Sequence, residues 1–429
     1  MAITGRVALL LLAGLVPVAL RPALGTMWLW VLAVSVAVLL DWFLAPRPDR
    51  LAFDRSAGTS VRLGEAASTT LTVHNPTDRR YSGIVRDAWQ PTAGATGNRH
   101  RLALGGDERQ RLTTRLRPAR RGDLRALGVT VRAYGPLGLA ARQRTRTVPG
   151  TIRSLPPFGS RRHLPSRLAR LRELDGRAAV RVRGQGTEFD SLREYVRGDD
   201  VRSIDWRASA RNRTVVVRTW QPERDRRVIL VLDTSRTSAG RVRDVPRLDS
   251  AMDAGLLLAA LAARAGDRVE FLAGDRRVRS RLRLTGKDVV APLQDAMSTL
   301  VPIIAEADWS VLAGALAALG RQRALVVLLT PLEPSAIEQG LLPVLPTLTR
   351  HHRIVVASVR DPALEEMASA RSDADEVYGA AAAEQVLERR RHTIDLLEVL
   401  GVDVVDADAD RLPPALADHY LDLKARGLL

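Results

Sequence analysis

The sharpest chemical grouping in the sequence is Asp233-Thr234-Ser235-Arg236-Thr237. It follows Val228 to Leu232, a continuous apolar run with β-branched residues that reads as a buried strand. A carboxylate and two hydroxyls at i, i+2 and i+4 therefore stand at a strand's carboxyl end, where open parallel sheets bind ligands. One carboxylate with neutral oxygens suits Mg²⁺, a hard ion that takes oxygen ligands and retains water, leaving a position for a partner's acidic group. Arg236 offers a competing arrangement, in which its guanidinium neutralises Asp233 without metal and the hydroxyls only cap the loop.

A second grouping is the stretch 184–211, where charges alternate in sign. Glu188, Asp190, Glu194, Asp199, Asp200 and Asp205 are set among Arg193, Arg197, Arg202, Arg207 and Arg211. Arginine forks pair well with carboxylates, so one reading is an ion-pair lattice that clamps the segment in place, with Phe189, Tyr195 and Trp206 as packing anchors. The other is a partner-docking surface. Gly184-x-Gly186 is no dinucleotide fingerprint, because Phe189 stands where the third glycine belongs.

Catalytic signatures are missing, and no residue is assigned as catalytic. There is no G-x-x-x-x-G-K-[ST], H-E-x-x-H or G-x-S-x-G, and the seven histidines are scattered. The alternative to a binding protein is a membrane-associated hydrolase using carboxylates of residues 188–205, but Asp199 and Asp200 are adjacent and on an extended segment face opposite ways. With no cysteine anywhere, disulfides, thiolate nucleophiles and Cys-containing zinc sites are excluded.

The elements that position these groups fall into segments of different character. From 228 onward, buried-strand patterns at Val269 to Ala273, Leu325 to Leu329, Ile354 to Val359 and Val402 to Val405 alternate with helical sequence such as Leu248 to Ala265. That alternation implies an α/β unit with a mainly parallel sheet and helices on both faces. Residues 51 to 150 read differently: Thr69 to His74, Arg111 to Leu116 and Gly128 to Tyr134 alternate apolar and polar residues between turn signals, as in an antiparallel β-sandwich.

The first 45 residues hold two apolar runs, Val7 to Leu20 and Thr26 to Leu44, separated by Arg21-Pro22-Ala23-Leu24-Gly25. Trp28, Trp30 and Trp42 sit near the ends of the second run, as interfacial anchors do. The expectation is a transmembrane helical hairpin with two spans, against the competing reading of a cleaved signal peptide. Arg47, Arg50 and Arg55 follow the second run while only Arg21 lies in the turn, so the bulk of the chain should be cytoplasmic and the protein a multi-pass cell-membrane protein. The expected divisions are 1–46 for the hairpin, 47–155 for the sandwich, 156–227 for a connecting segment with the charged motif, and 228–429 for the α/β domain.

Charge is unevenly distributed. Residues 1–227 carry 41 Lys+Arg against 19 Asp+Glu, a net +22, whereas 228–429 carry 24 against 29, a net −5. Because all but Lys287 and Lys424 of the basic residues are arginine, the excess points only weakly to nucleic acid. Beside a membrane segment it suits an anionic leaflet.

Asp233-x-Ser235-x-Thr237 resembles the D-x-S-x-S of metal-ion-dependent adhesion sites in von Willebrand factor A-type domains. A wider resemblance covers nearly the whole chain. The stretch from Gly184 to Arg211, with Arg120-Arg121-Gly122, Pro136-Leu137-Gly138-Leu139 and the closing Tyr420-Leu421-Asp422-Leu423-Lys424-Ala425-Arg426-Gly427, is similar to the bacterial family called domain of unknown function 58. That resemblance implies a membrane-anchored protein with an A-type domain that works beside MoxR-type AAA+ ATPases, without an established activity. Two departures stand out. Thr237 replaces the second serine, and Thr330-Pro331-Leu332-Glu333 follows the strand where A-type domains place Thr-Asp, so Glu333 is the available substitute. Ser310, in Asp308-Trp309-Ser310, is the candidate for the middle ligand.

Overall fold

The computed structural model describes residues 1–56, 58–181, 188–221, 226–320 and 322–429, and the chain divides into two units, Met1–Leu155 and Pro156–Leu429. The first begins with apolar helices. Leu24–Leu44 is 21 residues long, which at about 1.5 Å per residue matches a hydrocarbon core about 30 Å thick. Among the described residues it is the one helix long and apolar enough to cross a membrane; Gly5–Leu20 is shorter, interrupted at Gly14 and tied to the longer helix by Trp30 Nε1 donating to the Leu10 carbonyl at 3.0 Å.

Two sheets follow, built as the alternating sequence requires. Ala52–Arg55, Ala67–His74 and Arg109–Leu116 make one; Tyr81–Trp89, Arg99–Leu104, Gly122–Tyr134, Ala140–Arg146 and Thr151–Leu155, with the short Ala2–Ile3 and Ser60–Arg62, make the other. Every pairing is antiparallel except Thr151–Leu155 with Ser60–Arg62. Leu71, Val73 and Leu112 from the small sheet pack against Val85, Leu102, Val129 and Val131 from the large one. Inside this unit Arg55 forks onto the buried Asp87 at 2.6 and 3.0 Å, with Trp89 Nε1 and Thr114 Oγ1 donating to the same carboxylate.

The second unit contains a six-stranded sheet whose strands are β1 (Arg227–Asp233), β2 (Arg268–Gly274), β3 (Val278–Leu284), β4 (Leu325–Leu329), β5 (Arg353–Arg360) and β6 (Asp403–Asp408), in the order β3-β2-β1-β4-β5-β6. All neighbours run parallel except β2 and β3. Period-two alternation sends Val228, Leu230 and Leu232 to one face, under helices α1 (Arg247–Arg264) and α4 (Leu412–Ala425). Ile229 and Val231 point to the other, under α2 (Trp309–Ala317) and the end of α3 (Ala374–Val399). The closing motif locks α4 down: Tyr420 donates to the buried Asp267 at 2.5 Å, and Lys424 lies 3.6 Å from the same carboxylate.

Candidate functional site

The order β3-β2-β1-β4-β5-β6 reverses direction between β1 and β4, and a doubly wound sheet opens a crevice at that point, beyond the carboxyl ends of its strands. Both strands carry continuous apolar runs, Val228 to Leu232 and Leu325 to Leu329, that stop at a polar residue, Asp233 as the last residue of β1 and Thr330 just after β4. The register pairs Leu232 with Leu329, so those two residues emerge side by side. Thr330 Oγ1 donates to Asp233 Oδ2 at 2.8 Å. The Ser235 amide donates to Oδ1 at 2.7 Å, closing an Asx-type turn that starts the 3₁₀ turn Arg236–Ala239. Thr237 Oγ1 adds a longer bond to Oδ2 at 3.3 Å and lies 3.0 Å from Ser235 Oγ. The loop is fixed from outside by Thr234 Oγ1 donating to Asp275 at 2.8 Å, by the Ile303 amide on the Thr234 carbonyl, and by the Arg236 amide on the Ala305 carbonyl.

Asp233 is 1% exposed, and burial pushes its carboxyl above the ordinary carboxylate range against the opposing pull of Ser235, Thr330 and Thr237. Its partners are an amide and hydroxyls. A cavity of about 210 Å³ opens beside it, lined by Ser235, Thr237, Thr330, Glu306, Trp309 and Gln339. Part of the wall is Ile337–Leu341, a single turn of π-helix, a geometry frequent at functional sites.

Structure and sequence agree on Asp233, Ser235 and Thr237 as one cluster, and differ on the rest. Ser310 donates to Asp308 Oδ1 in the cap of α2 and does not line the cavity. Glu333 is exposed at the start of the short helix Pro334–Ala336, and its charge acts on Arg247. Glu333 does not line the cavity, and the side-chain oxygen from the end of β4 that reaches Asp233 is that of Thr330. Glu306 is a second addition; its signal in the sequence, an acidic residue two positions before a capping aspartate, is slight. Arg236 pairs with Glu306 at the surface rather than with Asp233. Among the described residues no three His, Asp or Glu side chains gather to hold a metal. One carboxylate with three hydroxyls fits a hard divalent cation held weakly, which would bring a positive charge to a carboxylate that has no cationic partner among the described residues.

The charged motif folds as a separate hairpin, Glu188–Glu194 against Val216–Gln221. The side chains of Glu188, Phe189 and Asp190 lie outside the described residues. Asp199 accepts from Arg193 at 2.5 Å and from the Val196 amide at 2.9 Å, and Arg193 holds its carboxyl below the ordinary range. Asp205 caps Trp206–Asn212 through the Arg207 and Ala208 amides and pairs with Arg218 at 2.7 Å; the Ala208 amide and Arg218 hold it low as well. Asp200 caps the next turn through the Arg202 amide. These bonds close within the motif. Tyr195 is half-buried, Arg202 and Arg207 are exposed, and Trp206, expected as a packing anchor, is 67% exposed because it opens a short surface helix whose inner face is taken by Ala208 and Ser209.

Residues 191–376 match the family model described as protein of unknown function DUF58, a span from the hairpin motif through β1 to β5. No curated protein matches the chain. Similar solved structures include the CARDB domain of a Pyrococcus furiosus protein in complex with di-metal ions, at 17% identity over 24% of this chain and 86% of that one, with a TM-score of 0.17. Trypsin-activated alpha-2-macroglobulin from Escherichia coli aligns at 10% identity over 87% of this chain and 24% of its own length, with a TM-score of 0.21. A Salmonella alpha-2-macroglobulin mutant aligns at 16% identity and a TM-score of 0.19 over 25% of this chain, which spans 7% of that protein.

Proposed function

We propose that this chain is a non-enzymatic, membrane-anchored binding protein whose α/β unit engages a protein partner through the cavity beside Asp233. The observation that carries the reading is the oxygen cluster of Asp233, Ser235, Thr237 and Thr330 at the sheet's switch point, opening into that cavity. Strand order and cluster together support a von Willebrand factor A-like domain with an altered adhesion site, in which Mg²⁺ held by these oxygens presents a free position to an acidic group of the partner. Asp199, Asp200 and Asp205 of the 188–205 motif are engaged in caps and local ion pairs, and Asp199 and Asp205 are held low, the opposite of a general acid's requirement. That favours binding over hydrolysis. Exposed Trp206, Val196 and Val201 on the same hairpin offer a second contact surface.

The helix Leu24–Leu44 supports the anchor; we read Gly5–Leu20 as a second span completing a hairpin, and the arginines after residue 46 favour a cytoplasmic location for the remainder. The partner we infer is a MoxR-type AAA+ ATPase, from the family resemblance and from the acidic balance of residues 228–429. The test is co-purification of the detergent-solubilised chain with such an ATPase in ATP, in ADP and without nucleotide, with Mg²⁺ present or chelated. Recovery that depends on nucleotide and falls in Asp233→Ala is expected. Equal recovery in all three states, or none in any, removes the ATPase from the proposal.

A further inference from the structure

The helix Leu24–Leu44 carries one charge, Asp41, three residues before its end, and that residue is fully buried. A carboxylate at the edge of a hydrocarbon layer needs compensation. Here the compensation comes from the sandwich: the amides of Leu137, Leu139 and Ala140 donate to its two oxygens at 2.7, 2.7 and 2.8 Å. The loop is shaped for this contact, since a Cβ on Gly135 would lie 2.3 Å from Asp41 and Gly138 has φ +66°. Thr4 Oγ1 and Arg6 bind the carbonyls of Gly138 and Leu137. Leu139 and Ala140 pack on Val34 and Val38, which lie about 5–10 Å deeper along the helix than Asp41. The tip of the sandwich is therefore fixed at a level where the helix is still apolar.

We propose that this end of the sandwich is an interfacial collar, seated in the headgroup layer of the membrane its own helix crosses, with Leu137 inserted toward the acyl chains. The proposal rests on Leu24–Leu44 spanning a membrane. Leu137 is 56% exposed although it is apolar, and Ile3 and Phe43 at the same end are exposed at 61% and 73%. Around them stand the cations that anionic headgroups attract. Arg142 stacks over Trp42 at 5.0 Å and binds the Trp42 and Phe43 carbonyls. Arg79 and Arg80 are exposed in the turn before Tyr81, whose hydroxyl reaches the Arg47 carbonyl just beyond the helix. An apolar tip ringed by arginines and an aromatic is the composition of a membrane interface, and lipid is the occupant it fits.

Because the chain has no cysteine, single probes can be placed without background. Leu137→Cys, Phe43→Cys and Glu65→Cys would each carry a nitroxide in the full chain, reconstituted in phosphatidylethanolamine/phosphatidylglycerol vesicles. Glu65 is exposed at the opposite end of strand Ala67–His74, about 25 Å from the collar. The ratio of oxygen to nickel-chelate collision rates at Leu137→Cys should be several-fold above that at Glu65→Cys and close to that at Phe43→Cys. A Leu137→Cys ratio equal to that at Glu65→Cys, in protein that resists alkaline carbonate extraction, overturns the collar and leaves the span intact. Release of the protein by carbonate overturns both.

Discussion

Thr330→Val removes one hydroxyl from the candidate site and keeps the side chain's shape. That hydroxyl donates to Asp233 Oδ2 at 2.8 Å between two buried residues. A hydrogen bond to a charged group contributes about 1.5–3 kcal/mol and a neutral one about 0.5–1.5. Thr330→Val should therefore destabilise the α/β unit by about 2 kcal/mol at a pH above the folded pKa of Asp233, and by only about 1 kcal/mol in a D233N background, a coupling of about 1 kcal/mol in a double-mutant cycle. Asp233→Asn by itself should behave unlike most core changes. Burial raises the folded-state pKa of Asp233 above its unfolded value, so its favourable contribution is complete below the unfolded pKa and is lost as pH rises through the folded one. Above the folded pKa the ionised carboxylate costs the fold stability, so Asp233→Asn, which does not titrate, should gain stability relative to the parent as pH rises. Hydrogen exchange read by mass spectrometry on peptides from β1 and β4 gives the opening free energy of this unit. An unchanged Thr330→Val penalty in the D233N background, or an Asp233→Asn variant whose stability relative to the parent does not rise with pH, would refute the reasoning.

Four further outcomes are expected. Arg55→Ala leaves the fully buried Asp87 without its forked partner and should cost the sandwich about 3–5 kcal/mol in urea unfolding. Although burial pushes the Asp87 carboxyl up, Arg55, Trp89 and Thr114 together hold it low, so its contribution is present above the unfolded pKa and lost as pH falls through the folded one; sandwich stability should drop below about pH 4. Arg390 forks onto Asp406 at 2.6 and 2.9 Å and also binds Ser358 and the Leu332 carbonyl, so Arg390→Ala should destabilise the α/β unit by about 3 kcal/mol and Arg390→Lys, which lacks the fork, should not restore it. Protease added to sealed, right-side-out cells should spare the α/β unit, and its digestion without lysis would overturn the cytoplasmic assignment.

The buried strands were the most legible part of the sequence, because a parallel strand covered on both faces must be a continuous apolar run. Val228 to Leu232 and Ile354 to Val359 lie within one residue of β1 and β5 at each end, and Leu325 to Leu329 coincides with β4. Strand β3 left no such mark. As the antiparallel edge, Val278–Leu284 alternates Val, Ser and Leu with three arginines, a pattern that suits exposed loops equally well. Site residues on one turn were legible for the same local reason: Asp233, Ser235 and Thr237 are joined by spacing alone. Thr330 was not, since its place depends on the register between β1 and β4, a contact across 97 residues of sequence. Its only sequence signal is that it ends an apolar run as Asp233 does. Likewise Asp41 reads as a blemish in an apolar helix until the loop at 135–140, nearly 100 residues away, supplies its amides.

The claim that the Asp233 cavity is where a partner docks is tested most directly by site-specific photo-cross-linking in the native membrane. A photoreactive residue at Gln339, on the cavity wall, is compared with one at Tyr378, exposed on α3 away from the cavity lining. The expected result is a discrete adduct from position 339 that is absent from position 378 and disappears in a D233A background. The same adduct from both positions, or one from position 339 that persists without Asp233, would contradict the assignment.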